Sequence, residues 1–345
     1  MRFFLITTRG LEDVAAAELS VLLPTVRDVA LSYRRVTCAV PATDTAALLA
    51  LHCAEDVFIE VASWQEIGKP RRVLDRITQL SSALDLMPAL EHIRQLRPLD
   101  TPTAFAVSAS FVGARNYASP EIKLAIATGL QSRYGWRYLE EEAPAALSLR
   151  LFIEHEEAFV GVRLAAQPLH RRSYKLATTP GSLKAPVAAG LLRLAGLQPG
   201  QTTLDPLCGA GTIVIEAAAQ GARVLGGDSD ETALATARTN LSSAGLPAEL
   251  YHWDARRLPI ESASIDLIAT NLPFGRQVLP NDDLTQLYAA ILAELARVAR
   301  PGASIALLTT QPDALRLPSA LRSRAHHEIS LHGQRPVIVV LEVRG

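Results

Sequence analysis

At 345 residues the chain exceeds one ordinary core of ~100–150 residues, so two or three domains are expected. A composition of 49% hydrophobic and 20% charged residues is that of a globular protein, and a formal net charge of −1 leaves any nucleic-acid binding to a local patch. Cys38, Cys53 and Cys208 lack CxxC spacing and the histidines lack HExxH spacing, so the expectation is reduced thiols and no metal.

The first segment, MRFFLITTRGLEDVAAAELS, reaches Glu12 and Asp13 too soon for a secretory signal, and no run of ~20 apolar residues is long enough to span a membrane. A cytoplasmic protein is expected. RFFLITT predicts a strand, GLEDVAAAELSVL a helix after a glycine break, RDVALSYRRVTCAV two strands, and DTAALLALHCAEDVFIEVA a helix and a strand. Residues 1–65 therefore form a small α+β unit. A charged helical stretch from Trp64 to Leu96 leads to a second unit, residues 66–166. There TAFAVSASFVG is a strand, SPEIKLAIATGLQSRYG a helix capped by Ser119, and LSLRLFIEHEEAFVGVRLA two strands joined by a charged turn.

Between Ala158 and Leu204 stand six basic residues, Arg163, Arg171, Arg172, Lys175, Lys184 and Arg193, and no acidic one. Residues 167–182 within it are a basic linker, either a surface that meets a polyanion or a solvated connection. From Leu183 onward helices and strands alternate: LKAPVAAGLLRLAGL, TTLDPL, GTIVIEAAAQG, ARVLGGDSD, ETALATARTNLSSAG, ELYHWDARRLP, SIDLIATNLPFG, LTQLYAAILAELARVARPG, SIALLTT and PVIVVLEV. Such alternation predicts an α/β domain, residues 183–345, with a mostly parallel sheet covered on both faces and a ligand beyond the carboxyl ends of its strands.

Three carboxylates end three successive strands of that domain. Asp205 precedes a turn containing Gly209 and Gly211, where glycine lets backbone approach a ligand, and an acid there suits an ammonium group better than a pyrophosphate. Asp228 can accept both hydroxyls of a ribose; as a helix cap it competes with Ser229 and Asp230. Asp254, in HWDA, can accept a proton from an exocyclic amine. A fourth strand ends in Asn271 and runs into Leu272, Pro273, Phe274 and Gly275, a segment that cannot continue it.

LDPLCGAGT, GGDSD, HWDA and TNLPFG, in that order, resemble the successive motifs of class I S-adenosylmethionine-dependent methyltransferases, a Rossmann-like fold. With LHRRSYKLATTPGSLKAPVAAGLLRLAG ahead of them, the chain is more narrowly similar to the THUMP-domain tRNA guanine-N2 methyltransferases. The resemblance implies that residues 1–65 are an N-terminal ferredoxin-like domain and residues 66–166 a THUMP RNA-binding domain. It implies that S-adenosylmethionine is held by Asp205, Cys208, Gly209, Gly211, Thr212, Asp228, Asp254 and Asn271, with Leu183, Lys184 and Pro186 lying over it. Leu207 and Ala210 stand where the commoner family form has methionine and serine, and Leu272 where many amino-methyltransferases have a first proline.

The catalytic group implied is Asn271, Leu272, Pro273 and Phe274. The Asn271 oxygen and the Leu272 carbonyl accept the two amine hydrogens of an extruded base, Pro273 fixes the turn and Phe274 stacks on the base. Arg171, Arg172, Lys175 and Arg276 are the expected contacts to tRNA, the implied partner; a monomer is expected. The product implied is N2-methylguanosine, at acceptor-stem position 6. The same loop chemistry leaves open N2-guanine methylation of ribosomal RNA, N6-adenine methylation, and a non-catalytic RNA-binding protein.

Overall fold

A computed structural model describes residues 1–142, 147–273, 282–331 and 333–344, in two compact units. The first comprises Met1–Thr7 and Ala16–Leu169, the second Thr8–Ala15 and His170–Gly345. In chain order the elements that begin the protein are β1 (Arg2–Ile6), α1 (Glu12–Leu22), β2 (Arg27–Ser32), β3 (Arg35–Ala39), a 3-10 stretch (Ala42–Ala50) and β4 (Asp56–Trp64). They are followed by α2 (Val73–Ser82), α3 (Met87–Leu96), β5 (Ala104–Phe111), α4 (Ser119–Tyr134), β6 (Arg137–Leu139), β7 (Leu147–Glu154) and β8 (Glu157–Arg163).

The strands of the first unit make one sheet in the order β2-β3-β1-β4-β8-β7-β5-β6. The two small units expected from sequence thus share a sheet, joined where β4 pairs antiparallel with β8, Phe58 opposite Arg163. Phe4 and Phe58 stack across neighbouring strands at 5.2 Å in a buried aromatic cluster with Phe152 and Phe159. Beside them the buried Arg163 donates to Asp56 at 2.8 Å. The expected cap of α4 is corrected by one residue. Ser119 is already helical, and the Ala118 amide donates to the Glu121 carboxylate at 2.8 Å. Alanine has no side chain to cap with, so the third helical residue reaches back instead.

The second unit continues with α5 (Ala185–Leu194), β9 (Thr202–Asp205), α6 (Thr212–Ala219), β10 (Arg223–Asp228), α7 (Glu231–Ala244), β11 (Glu249–His252) and β12 (Ile265–Asn271). It ends with α8 (Asp282–Val298), β13 (Ala299–Thr309), a 3-10 turn (Pro312–Ala314), β14 (Leu321–Glu328) and β15 (Val337–Val343). The sheet order is β11-β10-β9-β12-β13-β15-β14. Five strands run parallel, and β15 is antiparallel to both β13 and β14. On α8, Tyr288, Ile291, Leu292, Leu295 and Val298 recur at helical spacing and are buried in the core that includes Leu204, Ile268, Ile305 and Leu307. The strand order reverses between β9 and β12, and in open α/β sheets the crevice at such a point takes the ligand.

Candidate active site

A cavity of about 760 Å³ lies at the carboxyl ends of β9, β10 and β12. Asp205, Cys208, Gly209, Thr212, Asp228, Asp254, Asn271, Leu272 and Pro273 all line it, and Leu183 stands at its wall. The structure therefore gathers the sequence motifs in one place. Phe274 and Arg276 lie outside the described residues.

The turn after β9 is shaped by backbone that ordinary residues resist: Gly209 and Gly211 have φ of +50° and +81°. Gly211 closes the turn as the residue before α6, and Thr212 is its first helical residue. Asp228 clamps this turn from β10, one carboxylate oxygen accepting from the Gly209 amide at 2.9 Å and the other from the Asp230 amide at 3.0 Å. The helix cap itself is Asp230, which accepts from Thr232 N at 2.8 Å, so Asp228 is released from that role. A carboxylate has about four acceptor positions, and these two bonds leave capacity for hydroxyls. Trp253 supports the floor: its indole N–H donates to Pro206 O at 3.1 Å, and a side chain on Gly227 would collide with the indole at 2.1 Å.

Asp205 is 1% exposed, accepting from Thr270 Oγ1 at 2.7 Å and from the Leu207 amide at 3.3 Å. Burial pushes its carboxyl up to about 7, and the charge of Asp228 adds to the rise against the hydrogen bond from Thr270. Asp254 lies two residues beyond the end of β11, where hydrogen bonds from Arg256 hold its carboxyl below the usual range. The Cys208 thiol is raised by burial and stays protonated, so it is wall and not nucleophile.

Asn271 is the last residue of β12. Its Nδ2 lies 3.5 Å from the Gly181 carbonyl, whereas its Oδ1 is buried without a hydrogen-bond partner. An orphaned buried acceptor is costly unless a ligand satisfies it. Leu272 points its side chain into the core and its amide to Leu308 O at 2.9 Å, and Pro273 O accepts from the hydroxyl of Tyr288 at 2.8 Å. Sequence reasoning did not single out Tyr288; a tyrosine on the apolar stripe of α8 reads as core, and its polar end is visible only once β13 brings Thr309 to 3.2 Å from it.

Part of the basic stretch turns inward. The Arg172 guanidinium is engaged with Glu216 of α6 at 3.0 Å, and the Lys175 ammonium donates to the Leu183 carbonyl; Arg171 is exposed. Within the second unit Arg172 thus ties this stretch to α6, and Lys175 ties it to Leu183 at the cavity wall. Lys184 precedes α5 and Pro186 is buried in its first turn. The residues present fit S-adenosylmethionine: a buried acid, Asp205, for its ammonium and Asp228 for hydroxyls.

Residues 172–334 match the family model described as RMKL-like, methyltransferase domain. The chain is similar to a tRNA (guanine(6)-N2)-methyltransferase of Thermus thermophilus, 35% identical over 279 residues, 78% of this chain and 82% of the relative. It is 31% identical over 223 residues to a tRNA (guanine(6)-N(2))-methyltransferase of Bos taurus, 60% of this chain, and spans 44% of that relative's length. The crystal structure of TrmN from Thermus thermophilus superposes with a TM-score of 0.82 at 31% identity, over 99% of each chain.

Proposed function

As the chain belongs to the family of S-adenosylmethionine-dependent THUMP-domain tRNA guanine-N2 methyltransferases, we propose that it methylates the exocyclic N2 of the guanosine at position 6 of tRNA. The observation that carries the reading is the unpartnered Asn271 Oδ1 at the end of β12, next to the cavity that Asp205, Asp228 and Asp254 line.

S-adenosylmethionine, when bound, supplies a methyl group activated by a positive sulfur. The protein's task is to present a weakly nucleophilic amine, whose lone pair is delocalised into the guanine ring. Asn271 Oδ1 accepts one amine hydrogen and the Leu272 carbonyl the other, which orients the nitrogen and favours its tetrahedral form. Tyr288 holds the next carbonyl, that of Pro273, so the backbone at Leu272 and Pro273 is held before the base arrives. Asp205 receives the ammonium and Asp228 the ribose hydroxyls, while Asp254 faces the adenine amine. In the same proposal residues 1–65 and 66–166 are the ferredoxin-like and THUMP domains, which present the folded tRNA and its single-stranded end.

The test is incubation with labelled methyl donor and unmodified tRNA, followed by digestion to nucleosides. N2-methylguanosine is expected, and it should disappear in transcripts whose position 6 is not guanosine. Label found only in N6-methyladenosine overturns the reaction assigned, and label that persists in the substituted transcripts overturns the position.

A further inference from the structure

Asn240, on α7, is 1% exposed, and its amide uses every hydrogen-bonding position it has. Oδ1 accepts from the amides of Leu176 at 2.9 Å and Ala177 at 3.0 Å; Nδ2 donates to the carbonyls of Ala177 at 2.9 Å and Ala210 at 3.0 Å. Three of these bonds grip residues 176–183, a strap that leads into the cavity wall, and the fourth grips the glycine turn after β9. Beyond Ala177 the strap folds back on itself, the Thr179 amide donating to Ser182 Oγ at 2.9 Å and the Ser182 amide to Thr179 O at 3.0 Å. That bend carries the Gly181 carbonyl to the Asn271 amide.

We propose that Asn240 is a positioning residue for methyl transfer, acting through the strap to set which end of the Asn271 amide faces the base. The two ends of a carboxamide are almost the same shape, so only hydrogen-bond partners choose between them. A carbonyl can accept from Nδ2 and has nothing to offer Oδ1. With Gly181 O in place, Nδ2 turns to the strap and Oδ1 is left for the amine. Without it the amide can present N–H groups to the amine hydrogens, an arrangement that repels. The single bond to Ala210 O ties the same strap to the turn that receives the donor. The inference rests on Asn271 as the amine acceptor.

Asn240→Asp tests it, because the carboxylate keeps the two accepted bonds and sets oxygen against the carbonyls of Ala177 and Ala210. Donor affinity by calorimetry, tRNA affinity by filter binding and single-turnover rate at saturating donor and tRNA are measured on the full chain, alone and combined with Asn271→Ala. The transfer rate of Asn240→Asp is expected to fall by about tenfold or more at saturation, with weaker donor binding and unchanged tRNA affinity. In the Asn271→Ala background the same substitution should cost no further rate, since the residue it orients is gone. A wild-type rate in Asn240→Asp, or losses that multiply in full in the double variant, overturns the proposal. Should Asn240→Asp fail to fold, Ser182→Ala loosens the strap bend without touching α7, and a wild-type transfer rate there overturns it equally. If Asn271→Ala alone is as fast as wild type, it is the amine-acceptor reading that has failed.

Discussion

Asn271 has one amide atom turned to Gly181 and one buried without a partner, and the unpartnered atom is the oxygen. Its replacement by alanine removes one of two preorganised acceptors while leaving the donor site and the core as they are. Single-turnover transfer in Asn271→Ala should be slower by about 10²–10³-fold, with donor affinity kept; an unchanged rate would return the residue to a structural role. Asp205 makes a prediction about pH. Its carboxyl is pushed up to about 7 in the folded protein, whereas an unfolded aspartate titrates near ~3.9. The fold thus holds this proton more tightly than the unfolded chain does, so the contribution of Asp205 to stability is greatest below about pH 4 and is lost as pH rises through about 7. A bound ammonium draws the carboxyl back to its ionised form. Donor affinity should therefore rise from about pH 5 to about pH 7 and level off above, with proton release at about pH 6 visible as a calorimetric enthalpy that changes with buffer. An affinity flat across this range would remove Asp205 from contact with the ammonium. Motif spacing made both residues legible in the sequence. Their states were not, because Thr270 reaches Asp205 across the sheet and Gly181 reaches Asn271 by a bend about ninety residues earlier in the chain.

Among the elements, the segment between the two units changes most in meaning between sequence and structure. Counting charges from Ala158 to Leu204 finds six cations without an acid, yet a count along the chain cannot see Glu216, which comes to Arg172 from α6 together with the Tyr174 hydroxyl at 2.8 Å. Removing a guanidinium from a carboxylate that is 1% exposed should cost about 3 kcal/mol in a urea titration of Arg172→Ala. Arg171→Ala should leave that midpoint alone and lower the salt dependence of tRNA binding by about one unit of slope. If instead Arg172→Ala keeps its stability and flattens the salt slope, Arg172 belongs to the RNA. A second element-level device is the Leu272–Pro273 backbone beyond β12, held from β13 and α8. Tyr288→Phe deletes the donor to Pro273 O and should slow transfer by about tenfold while donor affinity is retained. Equal rates would mean that Pro273 and the β12 ladder hold the Leu272 carbonyl unaided. The helices and parallel strands of this unit were readable from periodicity. β14 was not: LRSRAHHE exposes most of its residues at the edge of the sheet, so no apolar alternation marks it.

For the whole molecule, alternation of helix and strand sufficed to announce the second unit, since a parallel sheet covered on both faces leaves near-continuous apolar strands in the sequence. The first unit was legible as pieces only. Nothing in RFFLITT or AFVGVRL says which strands will be neighbours, and the eight strands join in one sheet through the pairing of β4 with β8. Those strands are separated by about a hundred residues, beyond the reach of any local pattern. The indole beneath Gly227 carries a consequence of another kind. Of the three tryptophans, Trp64 and Trp136 belong to the first unit, and Trp253 alone to the second, where it is buried, stacked on Tyr251 at 5.3 Å and bonded to the backbone under the donor cavity. A chain carrying Trp64→Phe and Trp136→Phe would hold a single tryptophan, at the floor of the site. Its emission should shift on addition of S-adenosylmethionine and remain still on addition of tRNA alone, so that the protein reports donor occupancy optically, without a label and on the timescale of mixing.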